Sequence, residues 1–442
     1  MIGSDQIARQ AKLFVDSGRD TQDEAIERLR GLQVTISIGD DACHTSAGQA
    51  AFLTAVATAV RCFAGGVFVK GNLEAAILTP LAQSQQSLAL AATELGASLD
   101  AARGSCCEVL IGNAQALEHW SIRAVWSGWQ ATCQPGADSI SDPIGENPLA
   151  AVAAAALAVG NAFHYATGSV RAGYCREVLS LWSPDQPVDR GPSLKHFPDK
   201  VWLFGLGNLG QAFAWALSSI ECNKDAGVQV HLQDFDRIKE ENWGTSILAP
   251  TRDYGELKTA LAERWLKGRD FSIYRVDRAI DERFRVHPQE PALALAGLDD
   301  LDPRRWLGAA GFINIIDVGL GATHTDYTKI RVNVFDREYG PLVHFAGAKR
   351  TQPDLKDKAP LKGYREIEIR KGRCGIEQYA GFSIAYTFVS AVAACLALAQ
   401  AVRICTGEAP YASIGVDTAD LRNVKAQIGK RPLRPQIGNV RL

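Results

Sequence analysis

An α/β fold made of two tandem units is what this 442-residue sequence predicts, and three observations carry the prediction. A strand–helix–strand order recurs in both halves, each half closes on an alanine-rich helix, and a proline-rich polar stretch separates them. The length points the same way, because one hydrophobic interior stops growing beyond roughly 250–300 residues.

In the first half, residues 34–38 pattern as a strand, 46–62 as a helix and 66–70 as a second strand. After the break, residues 201–204, 209–220 and 228–232 repeat that order. The closing helices are expected at 151–168 and 391–407. Alanine-rich helices match by chance, but the shared order makes duplication the better explanation. Residues 183–198 gather four prolines among polar and charged residues, which is how a linker reads. The expected division is therefore 1–182, a linker 183–198, and 199–442.

Composition excludes several classes of function. A formal net charge of -2 supplies no basic field for nucleic acid or an anionic membrane surface, leaving proteins and small molecules as partners. Ten cysteines without a CxxC pair indicate neither a zinc ribbon nor a disulfide framework, so reduced thiols in the cytoplasm are expected. The N-terminus lacks an apolar signal core and reads as a short amphipathic helix. Residues 384–402 carry no charge, yet their alanine content and Thr387, Ser390 and Gln400 favour a buried helix over a membrane span.

The halves differ where chemistry would occur. The second unit's first strand runs into Gly205, Gly207 and Gly210, a pattern that permits a tight turn and close approach of phosphate to a helix N-terminus. The first unit has Gly39-Asp40-Asp41 at the corresponding turn, where two carboxylates repel phosphate. It is therefore expected to be a nucleotide-free copy, with Cys106 and Cys107 catalytically silent. Alone, the glycine pattern fits a dinucleotide-binding dehydrogenase or merely a tight strand–helix turn. Asp234, 24 positions after Gly210 at the next strand's end, suits ribose hydroxyls in either class of nucleotide enzyme.

From Asp234 onward, the succession of DFDRIKEENWGTSIL, DYGELKTALAERWL, LALAGLDDLDPRRWL and INIIDVGLGATHTDYTKIRVNVF resembles the ubiquitin-activating and molybdopterin- or thiamine-pathway adenylyltransferase superfamily. With the glycine turn included, the resemblance covers residues 199–407. It implies two Rossmann-like units in an intramolecular pseudo-dimer, the first degenerate and the second binding ATP with magnesium. It assigns ribose to Asp234, a helix start to Asn242, phosphates to Lys258, magnesium to Asp299, and a nucleotide contact to Arg304. Asp236 is either a second structural carboxylate or a phosphate-side ligand. The chemistry needs these residue types, since a carboxylate attacking the α-phosphate meets like-charge repulsion that cations must neutralise. The nucleophile is already ionised at neutral pH, so no general base is required. Taken singly, Lys258 reads as a solvated helix lysine and Asp299 or Asn242 as a helix cap. Asp317 is expected to bond backbone beneath a substrate tail, without a catalytic role.

Two positions depart from the family pattern: Asp300 replaces an asparagine, and Thr245 replaces an arginine of the phosphate clamp. Arg9, followed by Gln10 in the N-terminal helix, resembles an arginine that the family extends into its partner's active site, and it is the expected replacement cation. Ubiquitin-activating members also capture the activated carboxyl as a thioester. Cys374, ahead of the uncharged helix and flanked by Lys371 and Arg373, stands where compact activators carry that cysteine. Helix N-terminal amides and cations would make its thiol more nucleophilic, whereas Cys395 and Cys405 read as structural. The resemblance thus implies adenylation of a ubiquitin-like protein ending in glycine, thioester transfer to Cys374, and a conjugating enzyme downstream. Similar activating enzymes are encoded in bacterial antiphage conjugation operons. The alternatives are a sulfur-carrier adenylyltransferase without a thioester, an NAD-dependent oxidoreductase, and a nucleotide-binding protein without chemistry. The last residues, 429–442, are basic and turn-rich, either a docking tail or a solvated end.

Overall fold

The structure, a computed structural model, describes residues 2–82, 84–102, 107–140, 144–222, 227–349, 355–431 and 437–442. Cys106 lies outside them.

The first sheet contains β1 (Gln33–Ile38), β2 (Gly66–Gly71), β3 (Cys107–Ile111), β4 (Trp120–Ser127), β5 (Gln130–Pro135) and β6 (Glu177–Ser180), in the order β2-β1-β3-β4-β5-β6. Its first four strands are parallel and its last two antiparallel. After a short β7 (His196–Pro198), the second sheet contains β8 (Lys200–Phe204), β9 (Val228–Gln233), β10 (Phe271–Val276), β11 (Leu293–Ala296), β12 (Asn314–Leu320), β13 (Lys329–Phe335), β14 (Tyr411–Asp417) and β15 (Lys425–Ile428). Its order is β10-β9-β8-β11-β12-β13-β14-β15, parallel as far as β12. Counted within its own half, the parallel part runs 3-2-1-4-5, and the order reverses between β8 and β11, the crevice where doubly wound sheets bind ligands. The first sheet has the same order without a third strand, which is reduced to a single parallel bridge from Phe68 to Ser98.

The expected repeated strands and helices are all present, and helices cover the sheets as parallel strands require. Helices Pro148–Ala166 and Thr387–Cys405 pack against each other and against Ser46–Ala59 and Asn208–Ser218. Both of the alanine-rich helices are long and apolar enough to cross a membrane, yet 83% of the first's apolar window and all of the second's are buried within the protein. Small side chains make this possible: a Cβ on Gly160 would lie 3.0 Å from the Phe388 ring. Trp215 Nε1 donates to Thr54 Oγ1 at 2.9 Å, joining helices from the two halves, and one apolar cluster runs through both.

The stretch expected to be a linker does not hang free. Phe197 is fully buried, β7 pairs with the C-terminal strand β16 (Asn439–Arg441), and Trp129 Nε1 donates to Pro192 O at 2.6 Å. Its prolines mark turns across a packed surface, and composition alone does not separate such turns from a tether. The end of the basic tail is likewise docked, with Ile437 buried and Asn439 Nδ2 donating to Cys405 O.

Candidate functional site

The crevice between β8 and β11 is built by glycines. Gly205 has φ +76°, open to glycine at little cost. A Cβ there would sit 2.9 Å from Gly297 O, and one on Gly210 would sit 2.0 Å from Gly205 O. At Gly207 a Cβ would meet nothing within 4 Å, so the space above that residue is open. Gly207 caps helix Asn208–Ser218 with no side-chain bond, leaving first-turn N–H groups for a ligand. Gly210→Ala forces this turn apart and is expected to destabilise the protein by about 1–3 kcal/mol. Thermal denaturation checks this, and an unchanged midpoint would count against the geometry.

Asp234 is tied to that turn. Its Oδ2 accepts from Leu206 N at 2.6 Å and its Oδ1 from Asp236 N at 2.7 Å. Burial raises its carboxyl above the usual range, opposed chiefly by Lys258 and then by the two N–H donors. Carboxylate oxygens accept more than one bond each, which leaves capacity for hydroxyls. Lys258 begins helix Lys258–Leu266, and its Nζ lies 2.7 Å from Asp236 Oδ2. Backbone bonds from Lys258 N to Asp236 O and from Ile238 N to Glu256 O zip the two segments together. Asn242 heads helix Asn242–Thr245, and its Oδ1 accepts from Lys239 N. Asp299 is exposed on the loop after β11, two residues beyond the Gly297 that closes over the turn.

Arg9 comes from outside both sheets. Helix Ser4–Asp16 packs on Asn242–Thr245, and Gly244 makes that approach possible, since a Cβ there would be 2.3 Å from Gln10 Nε2. The Arg9 guanidinium donates to Ser383 O at 3.0 Å. Burial lowers its pKa, while the fields of Glu241 and Asp299 act the other way. The cation thus feels the carboxylate assigned to magnesium, and Thr245 is buried at 1% exposure. No sequence pattern marks Glu241 or Gly244 as functional, and their nearness to Asn242 is the one signal that points to them.

Two expected sites look different in three dimensions. Arg304 is committed inward: Nε donates to Leu298 O at 2.7 Å, Nη2 to Val318 O, and the group lies 3.4 Å from Asp317 Oδ1. Burial raises the Asp317 carboxyl, offset first by Arg304. The pair buttresses the Leu298–Asp299 loop, which is what these bonds establish for Arg304, the residue to which the sequence gives a nucleotide contact. Asp317 therefore receives a side-chain partner, where backbone was expected.

Cys374 is not at the threshold of the uncharged helix. It lies within Lys362–Gly381, whose backbone breaks at Gly372 with φ +67°, and the uncharged helix begins only at Thr387. The break leaves Cys374 in the first turn of the second segment, with its side chain exposed. The helix rests on the N-terminal helices through Tyr364 to Asp16, Lys362 to Glu24 and Arg370 to Asp23. Cys395 and Cys405 are buried, and burial pushes the Cys405 thiol up to about 12.

The first half's crevice is closed. A Cβ on Gly39 would fall 2.1 Å from Asn113 Oδ1 and 2.5 Å from Ala114 N, so the loop after β3 sits on the turn. Asp41 Oδ1 holds it by accepting from Asn113 N at 2.8 Å. Steric closure thus joins the charge repulsion expected from Asp40 and Asp41.

Residues 33–181 match the BilD N-terminal domain, and residues 197–408 match the BilD C-terminal domain. The chain belongs to the BilD family. A bacterial E1-like protein BilD from Collimonas sp. (strain OK412) is 32% identical over 433 residues, covering 94% of this chain and 92% of the relative. The open crevice lies within the BilD C-terminal domain and the closed one within the BilD N-terminal domain, while Arg9 precedes both matched stretches. Among solved structures, E. coli MccB with succinimide is similar with 18% identity and a TM-score of 0.35, over 54% of this chain and 66% of that one. Its complex with ATP gives 16% and 0.35 over the same shares.

Proposed function

We propose that this protein adenylates the C-terminal carboxylate of a ubiquitin-like protein with Mg-ATP and then takes the acyl group as a thioester on Cys374. The observation that carries the adenylation step is the gathering of Asp234, Asp236 and Lys258 around an open glycine turn at the switch point of a 3-2-1-4-5 sheet. In this reading Asp234 holds ribose hydroxyls, Asn242 orients the segment beside it, and the first-turn N–H groups after Gly207 receive phosphate. Lys258 exchanges Asp236 for phosphate oxygens, and Arg9 supplies the second cation. One exposed carboxylate, Asp299, beside a phosphate site suits magnesium, which keeps waters and binds through one or two carboxylates plus substrate phosphates. When bound, the metal neutralises phosphate charge. The substrate carboxylate attacks the α-phosphorus, its oxygen–phosphorus bond forms as the bond to the β-phosphate oxygen breaks, and pyrophosphate leaves. The thiolate sulfur then attacks the acyl carbon and expels AMP. The halves act as an intramolecular pseudo-dimer in which the first is scaffold, in a cytoplasmic protein with a conjugating enzyme as the next acceptor. A role in antiphage defence belongs to the same resemblance.

Asp234→Ala is expected to weaken ATP binding at least about tenfold, the scale of a lost charged hydrogen-bond acceptor. Calorimetric titration of wild type and variant with ATP and with NAD tests this. Tight NAD binding without ATP binding would sink the adenylation reading. Gly244→Ala pushes the N-terminal helix off Asn242–Thr245 without touching Arg9, and should reduce pyrophosphate exchange along with thermal stability. Exchange at the wild-type rate in a variant whose thermal stability has fallen would count against a role for Arg9.

A further inference from the structure

A second cavity of about 820 Å³ opens on the seam between the halves, at the opposite end of helix Lys258–Leu266 from Lys258. Its wall is aromatic: Trp265 stacks on Trp215 with ring centres 5.2 Å apart, and Trp243 lines the other side. Two arginines reach it without a carboxylate partner among the described residues. Arg61 donates there only to backbone carbonyls, of Trp243 (2.9 Å), Ala249 (3.1 Å) and Ile247 (3.2 Å), and lies over the Trp243 ring. Arg269 donates to the carbonyls of Pro80 (2.9 Å) and Leu81 (3.1 Å) and lies over Trp265.

The polar groups of this cavity are left short of acceptors. Arg61 Nε and Trp265 Nε1 are buried with no hydrogen-bond partner among the described residues. Such groups are rare in folded proteins and cost free energy unless something meets them. Burial also pulls both guanidinium groups down to about 10. Among the described residues, five cations line the cavity against two carboxylates, and both carboxylates are occupied: Asp253 pairs with Arg264, and Glu94 accepts from Gln85. A concave cavity with aromatic walls and convergent charged groups suits a small molecule that carries both a ring and an acidic group.

We propose that this cavity is a second ligand site, taking one small aromatic anion whose ring lies against the tryptophans and whose acidic group is met by Arg61 and Arg269. Arg61's carbonyl partners fall in residues 243–249, directly after Asn242, so an occupant touches the segment flanking the nucleotide crevice.

The probe is 1-anilinonaphthalene-8-sulfonate, read by energy transfer from tryptophan. N-phenyl-1-naphthylamine, with the same rings and no charge, is the control. The wild-type protein should bind one sulfonate per chain saturably. Arg269→Gln should weaken that binding about tenfold, the scale of a lost charge-assisted bond, and leave the neutral probe unchanged. Arg61→Gln should do the same where thermal denaturation shows it folded; Arg269→Gln decides if it is not. Absence of a saturable sulfonate site, or sulfonate affinity unchanged by Arg269→Gln, would overturn the proposal.

Discussion

Lys258→Ala is expected to lower ATP–pyrophosphate exchange by about a hundred- to thousandfold, the cost of removing one preorganised donor from a developing charge. The geometry makes this the largest single effect at the crevice. Lys258 is the cation bonded to Asp236, its side chain is only 10% exposed, and helix Lys258–Leu266 fixes its backbone. Its loss also leaves Asp236 and Asp234 facing incoming phosphate with no cation between, so repulsion adds to the missing attraction. Asp299→Ala should give a loss of similar order by removing the carboxylate assigned to magnesium. Because Asp299 is exposed, that variant should denature like wild type. Exchange rates measured with candidate small proteins ending in glycine decide the matter. Near wild-type exchange from either folded variant removes that residue from the mechanism.

Cys374→Ser should retain pyrophosphate exchange and lose every thiol-sensitive adduct with the proposed ubiquitin-like substrate. Exchange reports only the adenylate, which the proposed mechanism places at the crevice, whereas the adduct needs a sulfur nucleophile that a serine hydroxyl replaces poorly. The exposure of Cys374 in the first turn after the Gly372 break suits attack by, and transfer to, another protein. Cys395→Ser and Cys405→Ser are controls. Both sulfurs are buried in the packed helix, so each substitution inserts a hydroxyl into an apolar site and should lower stability without abolishing the adduct. Non-reducing electrophoresis reads the result. A persistent adduct from Cys374→Ser transfers the role to another thiol, of which Cys175 is the other exposed one among the described residues. No adduct from an exchange-active wild type makes the sulfur-carrier alternative the better reading.

The repeated strand–helix–strand units, the closing helices, and the glycine turn with Asp234 at the end of the next strand are all legible in the residues alone. These are short-range properties. A period of two or of 3.6 residues, or a glycine that a turn demands, is written within a dozen neighbouring positions and survives in any context that buries the apolar face. The sequence also supplied Lys258, Asp299 and Arg9 as names, through their order along the chain. How those residues meet follows from the folded structure. It bonds Lys258 to Asp236 across 22 positions, lets Arg9 feel Asp299, and turns Arg304 down onto Leu298 and Asp317. It closes the first half's crevice with Asn113, docks the expected linker against β16, and sets Cys374 inside a broken helix, away from the threshold of the uncharged one. It alone brings Arg61 and Arg269 to one tryptophan-lined cavity from opposite sides of the linker. The reason is physical: an interior packed to crystal-like density fixes which distant side chains touch, and no local pattern of charge or hydropathy encodes that choice.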